Sequence, residues 1–121
     1  METVKLIECP RDAMQGIAQM IPTEVKVRYL DALLRVGFDT IDIGSFVSAK
    51  AIPQMADTAE VLSRIDAAGS RSKLLVIVAN ERGAEDAAMQ EGVAYLGYPF
   101  SISETFQQRN TNTSIEGSWG R

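Results

Sequence analysis

An apolar run gives way to a proline and then to charged side chains in the stretch Val4-Lys5-Leu6-Ile7-Glu8-Cys9-Pro10-Arg11-Asp12-Ala13-Met14-Gln15. The run from Val4 to Ile7 predicts a β-strand, and it ends before Pro10 because proline lacks the N–H that a central strand needs. In α/β folds, ligands bind at the carboxyl ends of the strands. The side chains that follow this strand are therefore candidate site residues.

Three of those side chains have chemistry that fits a binding or catalytic site. Arg11 offers five N–H donors for an anionic or enolate-like oxygen. Asp12 offers the hard oxygen ligands that Mg²⁺ and Mn²⁺ prefer, and Gln15 adds a carboxamide. An alternative interpretation is that Arg11 and Asp12 form an ordinary solvated ion pair in a loop, because short motifs often arise without a function.

A strand followed by a helix recurs four times along the chain. The predicted strands begin near Val4, Phe38, Leu74 and Val93. Each crossover is long enough for parallel strands with right-handed connections. Residues 74–79 are apolar without alternation, which is typical of a strand covered on both faces. The predicted fold class is therefore α/β, with four parallel strands in the order 1-2-3-4 and helices on the outer face.

Caps and glycines predict where the helices begin and end. Thr23 is a good N-cap for the first long helix, and Gly37 ends it. Residues 101–112 are polar and predict a loop. The remaining helices are predicted to begin at Asp57 or Thr58, at Ala84, and at a capping box formed by Thr113-Ser114-Ile115-Glu116.

Composition excludes several classes of protein. At 121 residues, with 45% hydrophobic and 23% charged residues, the chain fits one soluble domain with a modest core. A net charge of -4 argues against a nucleic-acid partner. No apolar run reaches the roughly 18 residues of a membrane helix, and no export signal is recognisable at the N-terminus. The single cysteine, Cys9, allows no internal disulfide and favours a cytoplasmic location.

Three stretches carry a resemblance to a known family. Residues Glu8 to Gln15 resemble the first-strand signature of metal-dependent Claisen-type lyases and synthases built on a TIM barrel. The stretch Ser45-Phe46-Val47-Ser48-Ala49-Lys50-Ala51-Ile52-Pro53-Gln54-Met55-Ala56-Asp57 closely resembles the second βα loop of the hydroxymethylglutaryl-CoA lyases. Residues 103–110, followed by Ser114-Ile115-Glu116, are similar to their segment after the fourth strand. The resemblance implies a partial (β/α)8 TIM barrel, with residues 1–121 as the N-terminal half of one lyase domain.

The resemblance also implies an activity and roles for the candidate residues. The family cleaves hydroxymethylglutaryl-CoA, an acyl-CoA substrate, to acetyl-CoA and acetoacetate with Mg²⁺ or Mn²⁺. By matching position, Asp12 would be a metal ligand and Arg11 the catalytic group that stabilises the enolate oxygen. Gln15, Asp42 and Ser45 would support the site or contact substrate, although Asp42 could equally be a partner of Arg11.

The sequence also departs from the family pattern. The family usually has Gly-Pro before the Arg-Asp pair and a glycine after it, where this chain has Cys9-Pro10 and Ala13. The family's metal site needs a His-x-His pair, and this chain has no histidine. The metal site is therefore expected to be incomplete, and the isolated chain to be inactive and either homo-oligomeric or in need of a C-terminal half.

Two alternatives stay open. The first is a related acyl-CoA Claisen synthase or lyase with a different substrate. The second is a non-catalytic α/β binding module or a half-barrel paired with another polypeptide. A response-regulator receiver is the disfavoured case of such a module, because the third predicted strand ends in Ala79-Asn80 rather than in a phosphorylatable aspartate.

Overall fold

Four parallel strands form one sheet in the order β1-β2-β3-β4 in the computed structural model of the protein, which describes residues 3–111 and 113–119. The strands are β1 Ile7–Glu8, β2 Thr40–Ser45, β3 Lys73–Ile77 and β4 Val93–Gly97. Every neighbouring pair is parallel. The predicted α/β class, strand order and parallel pairing are confirmed. The first strand is shorter than predicted and begins later, at Ile7.

The helices follow the predicted alternation, with two additions. They are α1 Pro10–Gln15, α2 Thr23–Val36, α3 Thr58–Arg64, α4 Glu81–Ala88, α5 Glu104–Thr111 and α6 Ile115–Trp119, with a 3₁₀ turn at Pro53–Met55. The predicted start of one helix at Ala84 is wrong, because the Asn80 side chain accepts the Gly83 amide at 2.9 Å and the helix begins at Glu81.

The prediction of a loop at Arg11 and Asp12 is wrong, because Pro10 stands at the first helical position, where its fixed φ favours a helix. The polar loop at 101–112 is also wrong in part. Ser103 Oγ accepts the Phe106 amide at 3.3 Å and begins α5.

Two predicted caps shift by one residue. Thr23 is the first residue of α2 rather than its cap, and its hydroxyl donates to Asp57 at 2.7 Å instead. At α6 the cap is Ser114, whose Oγ accepts the Gly117 amide at 2.9 Å. Gly37 ends α2 as predicted, with the left-handed φ of 86° that glycine adopts without strain.

Helices α2, α3 and α4 cover one face of the sheet. Alternate residues of the strands point to opposite faces, and one set packs against the helices. The buried apolar core consists of Leu30, Leu34, Ile41, Ile43, Val61, Leu74, Val76, Val78 and Ala87. None of the helices in the described part of the chain is long and apolar enough to cross a membrane.

The opposite face of the sheet is more open. Leu75 and Ile77 alternate with the core residues of β3 and are only half-buried. Tyr95 pairs with Leu75 in the parallel register and is 44% exposed. The prediction that both faces of β3 are fully covered is therefore wrong for the residues that the structure describes. This open face lies on the side of the sheet that would be the interior of a closed barrel.

Candidate functional site

Arg11 and Asp42 form a buried ion pair between α1 and β2. Nε of Arg11 donates to both carboxylate oxygens of Asp42 at 3.1 Å, and Nη2 donates to Oδ2 at 2.8 Å. The side chains are 17% and 8% exposed, respectively. This fork geometry is the strong, orienting form of an arginine–carboxylate contact. The interpretation of Asp42 as the partner of Arg11 is therefore confirmed by the geometry.

Gln15 extends this network by one helical turn. Its Oε1 accepts a hydrogen bond from Nη1 of Arg11 at 3.0 Å. Residues four apart on a helix lie on the same face, which is why Arg11 and Gln15 meet. With Asp42 on one side and Gln15 on the other, the plane of the guanidinium is held in one orientation.

Asp12 lies at the solvent-exposed edge of this network and makes no hydrogen bond to Arg11. Its side chain is 75% exposed, and its Oδ1 lies 3.8 Å from Nη1 of Arg11, which is beyond hydrogen-bonding distance. The alternative of an Arg11–Asp12 ion pair therefore holds only as a long, solvated contact, and the hydrogen-bonded partner of Arg11 is Asp42. The Asp12 carboxylate therefore lies beside the site and is mostly exposed to solvent.

The Arg11–Asp42 pair also affects the pKa values of Arg11 and of the nearby Cys9. Burial alone would lower the pKa of Arg11, but the hydrogen bonds and the charge of Asp42 outweigh it and raise that pKa above its ordinary value. The pKa of the Cys9 thiol is raised as well, chiefly by partial burial and then by the negative charge of Asp42. The site therefore contains a permanent cation and a thiol that resists ionisation.

Ser45 lies at the carboxyl end of β2, away from the hydrogen bonds of Arg11. It is buried, and its Oγ accepts the amide of Val47 at 3.1 Å, while its own amide donates to Thr58 Oγ1 at 3.3 Å. These bonds turn the chain out of the strand. The structure thus joins Arg11, Gln15 and Asp42 in one network, leaves Asp12 beside it, and gives Ser45 a local role.

A second polar cluster was missed by the sequence analysis. Lys26 is 2% exposed and forms an ion pair of 2.6 Å with Asp57. A signal for it was present, because Lys26 lies four and eight residues before Leu30 and Leu34 and so falls on the buried stripe of α2. A lysine in such a stripe indicates a buried carboxylate or carbonyl partner.

The described residues do not make a complete site for Mg²⁺ or Mn²⁺. Among them, no three histidine, cysteine, aspartate or glutamate side chains are grouped so that they could hold a metal ion. The oxygens of Asp42 already accept from Arg11, which leaves Asp12 as the accessible carboxylate of the site. One carboxylate is too few, since such ions need several oxygen or imidazole ligands.

Comparison with known proteins relates the chain to one family of enzymes. No family model matches the sequence. The chain is 38% identical to the cytoplasmic 3-hydroxy-3-methylglutaryl-CoA lyase of Rattus norvegicus over 99% of its own length. It is 42% identical to the 3-hydroxy-3-isohexenylglutaryl-CoA/hydroxy-methylglutaryl-CoA lyase of Pseudomonas aeruginosa, and 38% identical to the mitochondrial hydroxymethylglutaryl-CoA lyase of Mus musculus, each over 98%. It spans 35%, 39% and 36% of the lengths of these relatives, respectively.

Solved structures give the same relation. The hydroxymethylglutaryl-CoA lyase of Pseudomonas aeruginosa superposes with a TM-score of 0.87 at 39% identity, over 98% of this chain and 39% of that one. A lyase of Acinetobacter baumannii, in complex with coenzyme A and 3-methylmalate, superposes with a TM-score of 0.89 at 30% identity, over 96% of this chain and 38% of that one. The resemblance to hydroxymethylglutaryl-CoA lyases is confirmed over nearly the whole chain.

Proposed function

We propose that this chain supplies the first four βα units of a hydroxymethylglutaryl-CoA lyase-type barrel, together with the arginine side of its active site. The observation that carries the proposal is the partly buried Arg11, held by both Asp42 and Gln15 just beyond the carboxyl end of β1, in a chain that matches such lyases over nearly all of its length. A barrel of this kind has eight strands, with its active site at the carboxyl ends.

Arg11 is suited to stabilising a developing oxyanion. Its bonds to Asp42 and Gln15 use one N–H on each of the three nitrogens. A second N–H on each terminal nitrogen has no acceptor among the described residues, and both can face a substrate oxygen. In the proposed cleavage a general base takes the proton of the tertiary hydroxyl, whose oxygen becomes the ketone of acetoacetate. The carbon–carbon bond breaks, its electron pair passes to the enolate of acetyl-CoA, and the enolate carbon then takes up a proton to give acetyl-CoA. Arg11 would hold the enolate oxygen with donors already in place.

Asp42 and Gln15 would act through Arg11 rather than on the substrate. Their contacts hold the guanidinium, so it needs no reorganisation when the negative charge develops. Ser45 would shape the loop that follows β2, since its hydroxyl accepts a backbone amide there. A direct contact of Gln15 or Ser45 with substrate stays a prediction.

Dependence on Mg²⁺ or Mn²⁺ is part of the proposal, with Asp12 as one ligand. The exposed carboxylate of Asp12 fits that role. A bound divalent ion would supply Lewis-acid polarisation of substrate oxygens. Because this sequence contains no histidine, imidazole ligands would come from residues outside it.

The proposed substrate is an acyl-CoA, and the proposed location is the cytoplasm. The coenzyme A complex of the Acinetobacter baumannii relative supports the substrate class. Relatives named cytoplasmic and mitochondrial both match, so the location rests on the sequence rather than on them. The proposed partner in assembly is the remainder of the barrel, with homo-oligomerisation as the alternative.

The test is an acetoacetate-release assay with Mn²⁺ on the 121-residue chain and on a chimera. In the chimera this chain replaces the matching segment of the Pseudomonas aeruginosa lyase. We expect no cleavage above background from the chain alone and measurable cleavage from the chimera. Arg11→Met should lower kcat of the chimera by about 10²–10³-fold, the scale for loss of an oxyanion donor.

Arg64→Met is the matched control, because Arg64 is an exposed arginine on α3 whose ion pair among the described residues is with Glu60 of the same helix. A folded chimera that keeps its kcat after Arg11→Met would refute the role of Arg11. A chimera that is inactive on hydroxymethylglutaryl-CoA but cleaves or condenses another acyl-CoA would keep the reaction class and change the substrate.

A further inference from the structure

The cluster around Lys26 joins three segments that are distant in the sequence. Nζ of Lys26 donates to the backbone carbonyl of Gln54 and, at 2.6 Å, to Oδ1 of Asp57. The other oxygen of Asp57 accepts the hydroxyl of Thr23 at 2.7 Å. The first turn of α2 is thereby fixed to the segment that leads from β2 into α3. A buried ammonium with two such acceptors is well compensated.

The side chain of Gln54 holds a third segment, the connection from α1 to α2. Its Oε1 accepts the amide of Ile21 at 2.9 Å, and its Nε2 donates to the carbonyls of Ile17 and Gln19 at 3.1 and 2.9 Å. Gln54 is 5% exposed. Three bonds from one buried carboxamide to one short connection are more than a single cap requires.

That connection has little other means of being held. Residues 16–20 are all exposed, and α1 has only six residues, with no side-chain hydrogen bond at its N-cap. Met14 and Pro10 bury one side of α1, and the hydrogen bonds of Arg11 to Asp42 tie the first turn of the helix to β2, so the carboxyl-terminal end of α1 is the end that needs a further anchor. A helix of six residues is marginal by itself, so polar contacts at both of its ends define its position.

We infer that Gln54 is a positioning residue for the Arg11–Asp42 pair. Asp42 lies on β2, and Gln54 lies in the segment that follows β2. Gln54 holds the connection that follows α1. It thereby fixes α1, which carries Arg11, in position relative to β2, which carries Asp42. Lys26 donates to the carbonyl of Gln54 and holds its backbone in place, so the position of the Gln54 carboxamide is fixed as well. This inference concerns the ion pair itself and does not rest on the proposed reaction.

The test follows the side chain of Arg11 by nuclear magnetic resonance in the 121-residue chain. Gln54→Met keeps the length of the side chain and removes all three hydrogen bonds. Gln54→Glu keeps the acceptor for Ile21 but cannot donate to the two carbonyls. Gln90→Met is the matched control, because the side chain of Gln90 is joined only by a long hydrogen bond of 3.4 Å to the carbonyl of Asp86 among the described residues.

We expect Gln54→Met to speed water exchange of the Arg11 Nε–H by about 2- to 10-fold, the scale for one net hydrogen bond lost, and to shift its resonance. Gln54→Glu should have a smaller effect of the same sign, and Gln90→Met none. The amide of Val76 in the core should keep its protection in all three variants, which shows that the sheet is intact. A purely stabilising role would leave the Arg11 signal unchanged while the sheet stays folded.

An Arg11 signal that is identical in wild type and in folded Gln54→Met would therefore overturn the inference. If Gln54→Met does not fold, Gln54→Glu decides in the same way. If both variants unfold, Gln54 stabilises the whole sheet and the positioning role is likewise overturned.

Discussion

Removing the guanidinium of Arg11 should lower the free energy of unfolding by a large fraction of the roughly 5–15 kcal/mol that is typical of a domain. In Arg11→Met the carboxylate of Asp42, only 8% exposed, loses all three of its hydrogen bonds from Arg11. Breaking a buried pair by removing one partner costs about 3–5 kcal/mol. Because the Arg11 side chain is itself 17% exposed, water can reach part of the vacated space, and we expect a cost of about 3 kcal/mol.

The measurement is urea unfolding followed by circular dichroism at low protein concentration. With a slope of about 1–3 kcal/mol per molar urea, the midpoint should fall by roughly 1–3 M. Arg11→Met/Asp42→Asn should recover at least half of the loss, because the double variant no longer buries an unpaired charge. Glu60→Gln is the control. It breaks an exposed pair on α3 and should cost less than about 0.5 kcal/mol.

The reasoning fails if Arg11→Met and Glu60→Gln destabilise the chain equally. It also fails if the loss of unfolding free energy in the double variant equals the sum of the losses in Arg11→Met and Asp42→Asn. In either case the pair would contribute no coupling, and the orientation of Arg11 would have another cause.

Two further outcomes are expected. The raised pKa of Cys9 should place the midpoint of its iodoacetamide rate–pH profile above that of free cysteine, since only the thiolate reacts. Asp42→Asn should lower that midpoint by removing a negative charge, and a midpoint at or below that of free cysteine would contradict the assignment. The free edges of β1 and β4 and the open face at Tyr95 should make the 121-residue chain self-associate. A cooperative monomer in sedimentation at tens of micromolar would refute this.

The sequence by itself determined the order and type of most elements, because these depend on local patterns. Apolar runs between helical stripes predict parallel strands joined by helices. Gly37 ends α2 because a left-handed residue is needed there, and glycine adopts that conformation freely. The charged pair after the first strand was likewise visible as a candidate site, and the residues around it resemble those of the hydroxymethylglutaryl-CoA lyases, to which the chain is 38% identical in Rattus norvegicus.

Only the tertiary structure decided which side chains meet. Arg11 forms its hydrogen bonds with Asp42, 31 residues away, while its neighbour Asp12 stays at 3.8 Å, and this difference follows from the position of α1 over β2 rather than from spacing. Lys26 likewise finds Asp57 across the gap between α2 and the segment before α3. Such contacts join residues whose separation is set by strand register and helix packing, so local propensity carries no information about them. Burial then selects the partner, because a charge removed from water needs the oxygen that the fold places beside it.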